Sequence, residues 1–462
     1  MALNCWRAKD ASRHRASVGA KGAVVVCSVL TSCGPALGGG LGVREQSTSA
    51  QGASFAGAGS GGDLSSSFWN PAAMSLAGPG LATESHVSLL YADIDVRANS
   101  VSVLPGTALG SSTALVDDHA NVDQLVAIGA SYASWRVDKD LVLGLAVNAP
   151  FGSKNKAQDP TWSGEYHFRS SQLLTVNVNP IASYQLAPGL FIGAGPQLQY
   201  LALTIKANPS GGLAPSQSNS VLDGDDIGLG FTGGVLWQPS PATSIGLGFR
   251  SSVAHEIEGD ASMAAGFLTT GLGTAPFAPI DFEAKLRTPE IATLSLRQAL
   301  SDTTRLLATV EWSNWSRLDK VDFIATSQGG LGSQPIVQGQ AINILDFHWD
   351  DGWFFALGAE WDASNAMTLR AGAAYEISPI RDPEQRKINV SDSDRIWLSV
   401  GATYALTAAM AFDLAYTHIF FDDAPIDSLT TTPASATTPV RRFTGSADQA
   451  ADIVSLSLKT KW

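Results

Sequence analysis

Apolar residues recur at every second position through most of the chain. In "RIWLSVGATYAL", Ile396, Leu398, Val400, Ala402, Tyr404 and Leu406 share one face, while Trp397, Ser399, Gly401, Thr403 and Ala405 share the other. In "MTLRAGAAYEIS", Leu369, Ala371, Ala373, Tyr375 and Ile377 lie opposite Arg370, Gly372, Ala374 and Glu376. The same alternation marks "TSIGLGFRSSV", "RLLATVEW", "WFFALGAEW" and "LLTVNVNPIASYQL". A period of two is that of a β-strand with two unlike faces. It predicts strands near 82–98, 122–136, 140–149, 166–186, 189–206, 224–238, 243–259, 283–300, 303–325, 343–362, 366–378, 391–406, 408–421 and 444–462. No stretch beyond residue 40 is continuously apolar for the roughly 18 residues that suggest a membrane-crossing helix.

Alternating strands build soluble sandwiches as well as membrane barrels, and the second face separates the two. Here it is rich in Gly, Ala, Ser and Thr with scattered Arg, Glu and Asp, as the lining of a lumen would be. Trp135, Trp237, Trp312, Trp315, Trp353, Trp361 and Tyr416 sit near strand ends, the position of interfacial aromatic girdles. In lipid every backbone polar group must be paired, so a sheet survives there only by closing on itself. The last stretch, "DIVSLSLKTKW", puts Val454, Leu456, Leu458, Thr460 and Trp462 on one face and ends in an aromatic. That ending resembles the signal read by the outer-membrane assembly machinery. The expected fold is all-β, a transmembrane antiparallel β-barrel of about 14 strands, an even number as bacterial outer-membrane barrels have.

Composition agrees with this picture and narrows it. Of 462 residues, 45% are hydrophobic and only 15% charged, against roughly 25% charged in soluble domains. The formal net charge of −13 leaves no basic footprint for nucleic acid. Arg7, Lys9, Arg13, Arg15 and Lys21 precede the apolar run "GAVVVCSVL" and the small residues of "TSCGPALGGG". Basic, apolar and small-residue regions in that order predict a secretory signal peptide over 1–38, cleaved after Gly38 with Ala36 at the −3 position. "LTSC" at 30–33 offers a rival, a lipoprotein-type cleavage that leaves a lipidated Cys33. All three cysteines precede residue 34, so the chain beyond Gly38 is cysteine-free and suits an oxidising compartment.

The chain resembles the FadL family of outer-membrane transporters for long-chain fatty acids and other hydrophobic compounds, nearly end to end. The residues that carry the likeness begin with "GLGVREQSTSAQGASFAGAGSGGDLSSSFWNPAAM", whose Asn70-Pro71-Ala72 matches the family's NPA motif. "APFG" (149–152), "WSGEYHFRSSQLLTVNVNPIASYQL" (162–186), "GLFIGAGPQLQY" (189–200), "FRSSVAHEIEG" (249–259), "WSNWSRLD" (312–319) and "LRAGAAYEISPI" (369–380) with "DSDRIWLSVGATYAL" (392–406) follow in the family's order. The resemblance implies a hatch over 39–80 that plugs the lumen of a barrel over 81–462, with cargo leaving sideways at a kinked third strand.

On that reading Phe55, Phe68, Trp69, Met74 and Leu76 supply apolar walls in the hatch, and Asn70, Pro71 and Ala72 form its turn. Pro150 and Gly152, flanking Phe151, are expected to break the third strand, because proline cannot donate to a ladder and glycine packs nothing. Extended loops near 207–223 and 260–282 are candidates for an outer capture groove, the second carrying Phe267, Leu268, Leu272 and Phe277. Lys206 and Arg250 are the candidate partners for a fatty-acid carboxylate. Some family members carry Lys before Asp ahead of the tenth strand, where this sequence reads Asp350-Asp351, which shifts the expectation toward hydrocarbon or aromatic cargo. An oily path favours cargo by roughly 0.8 kcal/mol per CH₂.

Other chemistries find little support. His14 lies in the signal peptide, and His86, His119, His167, His255, His348 and His418 are scattered singly among strands and loops. No GxSxG elbow, zinc spacing or phosphate loop is found, and no enzyme, cofactor or metal is expected. Asp223, Asp225 and Asp226 read as a solvated loop before they read as a Ca²⁺ site. The expected protein is a monomeric outer-membrane barrel among lipid and lipopolysaccharide. A general porin or a structural adhesin is the alternative.

Overall fold

A computed structural model describes residues 39–103, 112–159, 162–207, 220–263, 267–270, 273–332, 334–429 and 441–462. Residues 1–38, where a signal peptide is expected and which include Cys33, and Leu272 lie outside the described residues. The strands form one closed antiparallel barrel. They are β1 (Leu81–Val103), β2 (Ser112–Asn121 with Gln124–Arg136), β3 (Leu141–Asn148 with Gly152–Lys156), β4 (Ser170–Ala187) and β5 (Leu190–Ala207). Next come β6 (Ser220–Ser240), β7 (Thr243–Arg250 with Ala254–Met263), β8 (Ile280–Arg287 with Ile291–Ala299) and β9 (Thr304–Ser313 with Lys320–Ala325). The circuit ends with β10 (Ala341–Asp346 with Gly352–Ser364), β11 (Met367–Ile377), β12 (Arg395–Thr407), β13 (Met410–Phe421 with Ala424–Leu429) and β14 (Arg441–Lys461). Closure is made by β14 on β1, in register from Ala82↔Lys461 to Val103↔Arg441.

The faces are inverted relative to a soluble protein. Leu125, Leu229 and Leu357 are 72%, 72% and 64% exposed on the outside. Glu84, His86, Ser88, Asn177, Gln199, Thr309 and Ser455 are buried inside. An apolar belt around a polar interior matches a lipid solvent. The outward Trp135, Trp237, Trp353, Trp361 and Tyr416 sit in that belt's outer surface. Trp315 does not. The first segment of β9 ends at Ser313, a 3₁₀ turn over Trp315–Arg317 follows, and the indole is buried inside, so position near a strand end is a poor guide to its direction.

The expected loops are shorter than the sequence suggests. Residues 220–223 belong to β6 and 260–263 to β7, while Phe267–Thr270 and Gly273–Ala278 form a small hairpin that continues into a four-stranded sheet with Gly329–Leu331 and Gln334–Ile336. Backbone groups there are satisfied by pairing within the loop.

Residues 39–77 lie inside the barrel, as their bonds to strands on all sides require. Gln51 Nε2 donates to the Ile453 carbonyl of β14 at 3.3 Å, and Ser54 Oγ to Ser399 Oγ of β12 at 2.8 Å. Gly57 N donates to Thr309 Oγ1 of β9 at 2.9 Å, and Gly59 N to Ser295 Oγ of β8 at 3.0 Å. The Glu84 carboxylate of β1 accepts from the Leu64 and Ser65 amides at 2.8 and 2.9 Å. Small residues allow such close seating. A Cβ at Gly248 would lie 1.8 Å from the Trp69 carbonyl oxygen, and one at Gly372 2.1 Å from that of Ala53. Only glycine fits the wall at those two points.

Candidate functional site

The Asn70-Pro71 turn is built as its sequence dictates. Asn70 caps a 3₁₀ helix over Pro71–Leu76, its Oδ1 accepting from Ala72 N at 3.1 Å. Pro71 occupies the first helical position, where its missing N–H costs nothing. Asn70 Nδ2 donates to the carbonyls of Gly59, at 2.9 Å, and of Val235 in β6, at 3.0 Å. The turn is therefore tied to β6 and to its own segment. Just before it, Phe68 and Trp69 meet edge to face, with ring centroids 5.0 Å apart.

Strand β3 is interrupted beside the inner segment. Its ladder with β2 runs from Arg136↔Val142 to Ser131↔Val147. Beyond Asn148 the chain turns to the inner segment: Val43 N donates to the Pro150 carbonyl at 2.9 Å, and Gly152 N to the Leu41 carbonyl at 3.0 Å. Gly42 and Phe151 form an isolated antiparallel bridge between these bonds. On the other side Phe151 N donates to Thr175 Oγ1 at 3.0 Å, and Gly152–Lys156 resumes pairing with β4.

A cavity opens beside the interruption. Val43, Phe68, Trp69, Phe151, Trp315 and Phe354 give it apolar walls, and Pro150 sits at its edge. Two guanidiniums enter it, in different company. Arg44 is ion-paired to Glu311 at 2.8 Å and Glu376 at 3.1 Å, and lies over the Phe354 ring at 3.8 Å. Arg250, at the end of the first segment of β7 and only 4% exposed, donates to Gln197 Oε1 and to the Phe68 carbonyl at 3.1 Å, and lies 4.4 Å over the Phe68 ring. Among the described residues no carboxylate stands within ion-pair distance of Arg250. A buried cation without a counter-charge is costly, and an anion at that spot offsets the cost.

The structure thus gathers Phe68, Trp69, Pro150, Phe151 and Arg250 around one cavity. It places other anticipated residues elsewhere. Phe55 is wholly buried below, in an aromatic cluster with Trp69, Phe354 and Trp397. Met74 fills the space over Gly144, Ala72 packs on Phe191 and Leu236, and Leu76 is 36% exposed. Lys206 lies half-buried in β5 and does not line the cavity, so its charge is not available there. Phe277 packs in the outer part of the barrel against the core around Phe282, and Phe267 and Leu268 belong to the hairpin strand paired with its own. Asp351 accepts from Trp312 Nε1 at 2.8 Å, outside the cavity.

Arg44, Glu311, Trp315, Phe354 and Glu376 are cavity residues that sequence reasoning missed. A signal for three of them was present. Glu311 and Glu376 fall on the small-residue face of their strands, and Arg44 is the one cation between residues 39 and 80. Inward acids demand a cation, and this one was at hand.

A closed barrel with an apolar outer belt and an interior filled by its own N-terminal segment defines an outer-membrane transport protein. The sequence profile of the family described as outer membrane protein transport protein (OMPP1/FadL/TodX) matches residues 28–462, and the chain belongs to that family. Outer membrane protein P1 of Haemophilus influenzae is 26% identical over 431 residues, 86% of this chain and 89% of that one. The long-chain fatty acid transport protein of Escherichia coli O6:H1 is 24% identical over 304 residues, covering 60% and 65%. In structure, a Pseudomonas aeruginosa FadL homologue superposes with a TM-score of 0.76 at 19% identity, over 91% of this chain and 99% of that one.

Proposed function

We propose that this outer-membrane protein carries long-chain monocarboxylates, its residues 39–80 acting as a hatch and its cavity holding the chain before release through the β3 interruption. The observation that carries the reading is Arg250, a buried guanidinium with no carboxylate partner among the described residues, set among aromatic walls. A fatty acid complements both halves of that site: its methylenes gain roughly 0.8 kcal/mol each on leaving water, and its head group supplies the absent anion. The unbridged stretch of β3 favours a sideways exit, because Pro150 has no N–H to offer β2. The Asp350-Asp351 departure then loses its force, since the cation of this chain stands on β7. Resemblance to the fatty acid transport protein points the same way.

Arg250→Met tests the assignment. A charge-assisted hydrogen bond contributes about 1.5–3 kcal/mol, so uptake of labelled oleate at low concentration falls by roughly 10- to 100-fold while uptake of toluene is unchanged. Equal oleate uptake by both proteins contradicts the carboxylate reading, and parallel loss of oleate and toluene assigns Arg250 to packing instead.

A further inference from the structure

Gly39 and Gly40, the first described residues, point their amides at two buried carboxylates. Gly39 N lies 2.8 Å from Glu376 Oε1, and Gly40 N lies 2.9 Å from Asp392 Oδ2. Glu376 is 2% exposed and Asp392 7%. Around them three buried carboxylates, Glu311, Glu376 and Asp392, share two guanidiniums within ion-pair distance, Arg44 and Arg395. Arg386 directs its guanidinium to the backbone carbonyls of Asp392, Ile380 and Pro425. Among the described residues these three carboxylates meet only two cations within ion-pair distance; Arg386 acts on Asp392 through its charge without such a contact, and burial still holds the Asp392 carboxyl above the usual range against the pull of Arg395.

We propose that the Glu376–Asp392 pair is a seat for a free α-ammonium, created when signal peptidase and water hydrolyse the Gly38–Gly39 bond. Gly38 leaves with the carboxylate, and the amine retained by Gly39 takes up a proton. The new charge appears 2.8 Å from Glu376 Oε1 and completes the cluster. The small residues Ala36 and Gly38 precede the bond as that enzyme requires. The seat fastens the first residue of the inner segment to β11 and to the residues before β12, beside the cavity that Gly39 itself lines. The inference rests on residues 39–80 being the hatch and not on the nature of the cargo.

Protein purified from outer membranes provides the test. N-terminal sequencing and intact mass are expected to give Gly39 as the first residue. An amine-reactive ester at pH 8, near the ordinary α-amino pKa of about 7.7–8.0, is expected to label that amine at least ~10-fold more slowly in the folded barrel than after unfolding, because an ion pair keeps it protonated. Glu376→Gln keeps the shape and removes the charge, so labelling rises severalfold. Asp392→Asn gives the same rise where the first variant fails to fold, as judged by heat-modifiable gel mobility. A mature chain starting elsewhere, including a lipidated Cys33, overturns the proposal. So does equal labelling of folded and unfolded protein, or unchanged protection in folded variants.

Discussion

Single residues of the inner segment decide how it answers to pH. Glu45 is 1% exposed. Burial, only partly offset by its own backbone amide and by Arg44, pushes its carboxyl up to about 7. The folded protein therefore keeps a proton that the unfolded chain releases near 4.5. The sign follows: seating of the segment is strongest below the unfolded value, weakens as pH rises from 4.5 to 7, and is level above it. The whole change is about 3 kcal/mol. Asp63 behaves oppositely. Burial pushes it up, but Lys459 at 2.6 Å and Arg370 outweigh burial and hold its carboxyl well below the usual range. Its contribution is complete above the ordinary carboxylate value and is lost only in strong acid, so it adds nothing to a comparison between pH 5 and pH 8. Glu45→Gln is expected to abolish the difference in protease resistance of the inner segment between those two pH values. A wild-type-like difference in the variant contradicts the role given to Glu45. At this scale the sequence is a partial guide. Alternation assigns inward residues to their face, as with Glu376, but it cannot say which inward charge finds a partner; Arg44 meets two carboxylates and Arg250 a glutamine and a carbonyl, because the partners come from strands remote in sequence.

At the scale of elements, strands were readable because lipid on one side and a polar lumen on the other force strict alternation. The breaks inside β7 and β9 show where it fails: the ladder stops at 251–253 and at 314–319, which lie within the continuous strands 243–259 and 303–325 that the alternation predicts. The outer tips also escaped, since β1 runs on to Val103 and Ala424–Leu429 extends β13. The β3 interruption was legible, as proline and glycine two residues apart leave a mark that composition alone reveals. What the sequence could not show is that Leu41–Val43 take the bonds β2 gives up. Restoring the donor and the side chain with Pro150→Ala and Gly152→Ala is expected to extend the β2–β3 ladder, each added bond contributing about 1 kcal/mol. Oleate uptake falls severalfold and amide exchange at 149–152 slows. Slowed exchange with undiminished uptake removes β3 from the route.

For the whole molecule, the barrel is a wall that only closure makes tolerable to lipid, and β14 against β1 supplies it along the full length of both strands. The inner segment is bonded to β1, β6, β8, β9, β12 and β14 together, so it fills the lumen instead of hanging from one side. That architecture separates two modes of transport. A water-lined pore passes small ions and solutes, whereas a filled lumen beside an apolar cavity passes molecules that prefer the membrane to water. The measurement that distinguishes them most directly is ion conductance of the purified protein in a planar bilayer, taken alongside oleate uptake in the same preparation. A filled lumen gives conductance no greater than that of the protein-free bilayer together with oleate uptake. A steady open-pore current would contradict it.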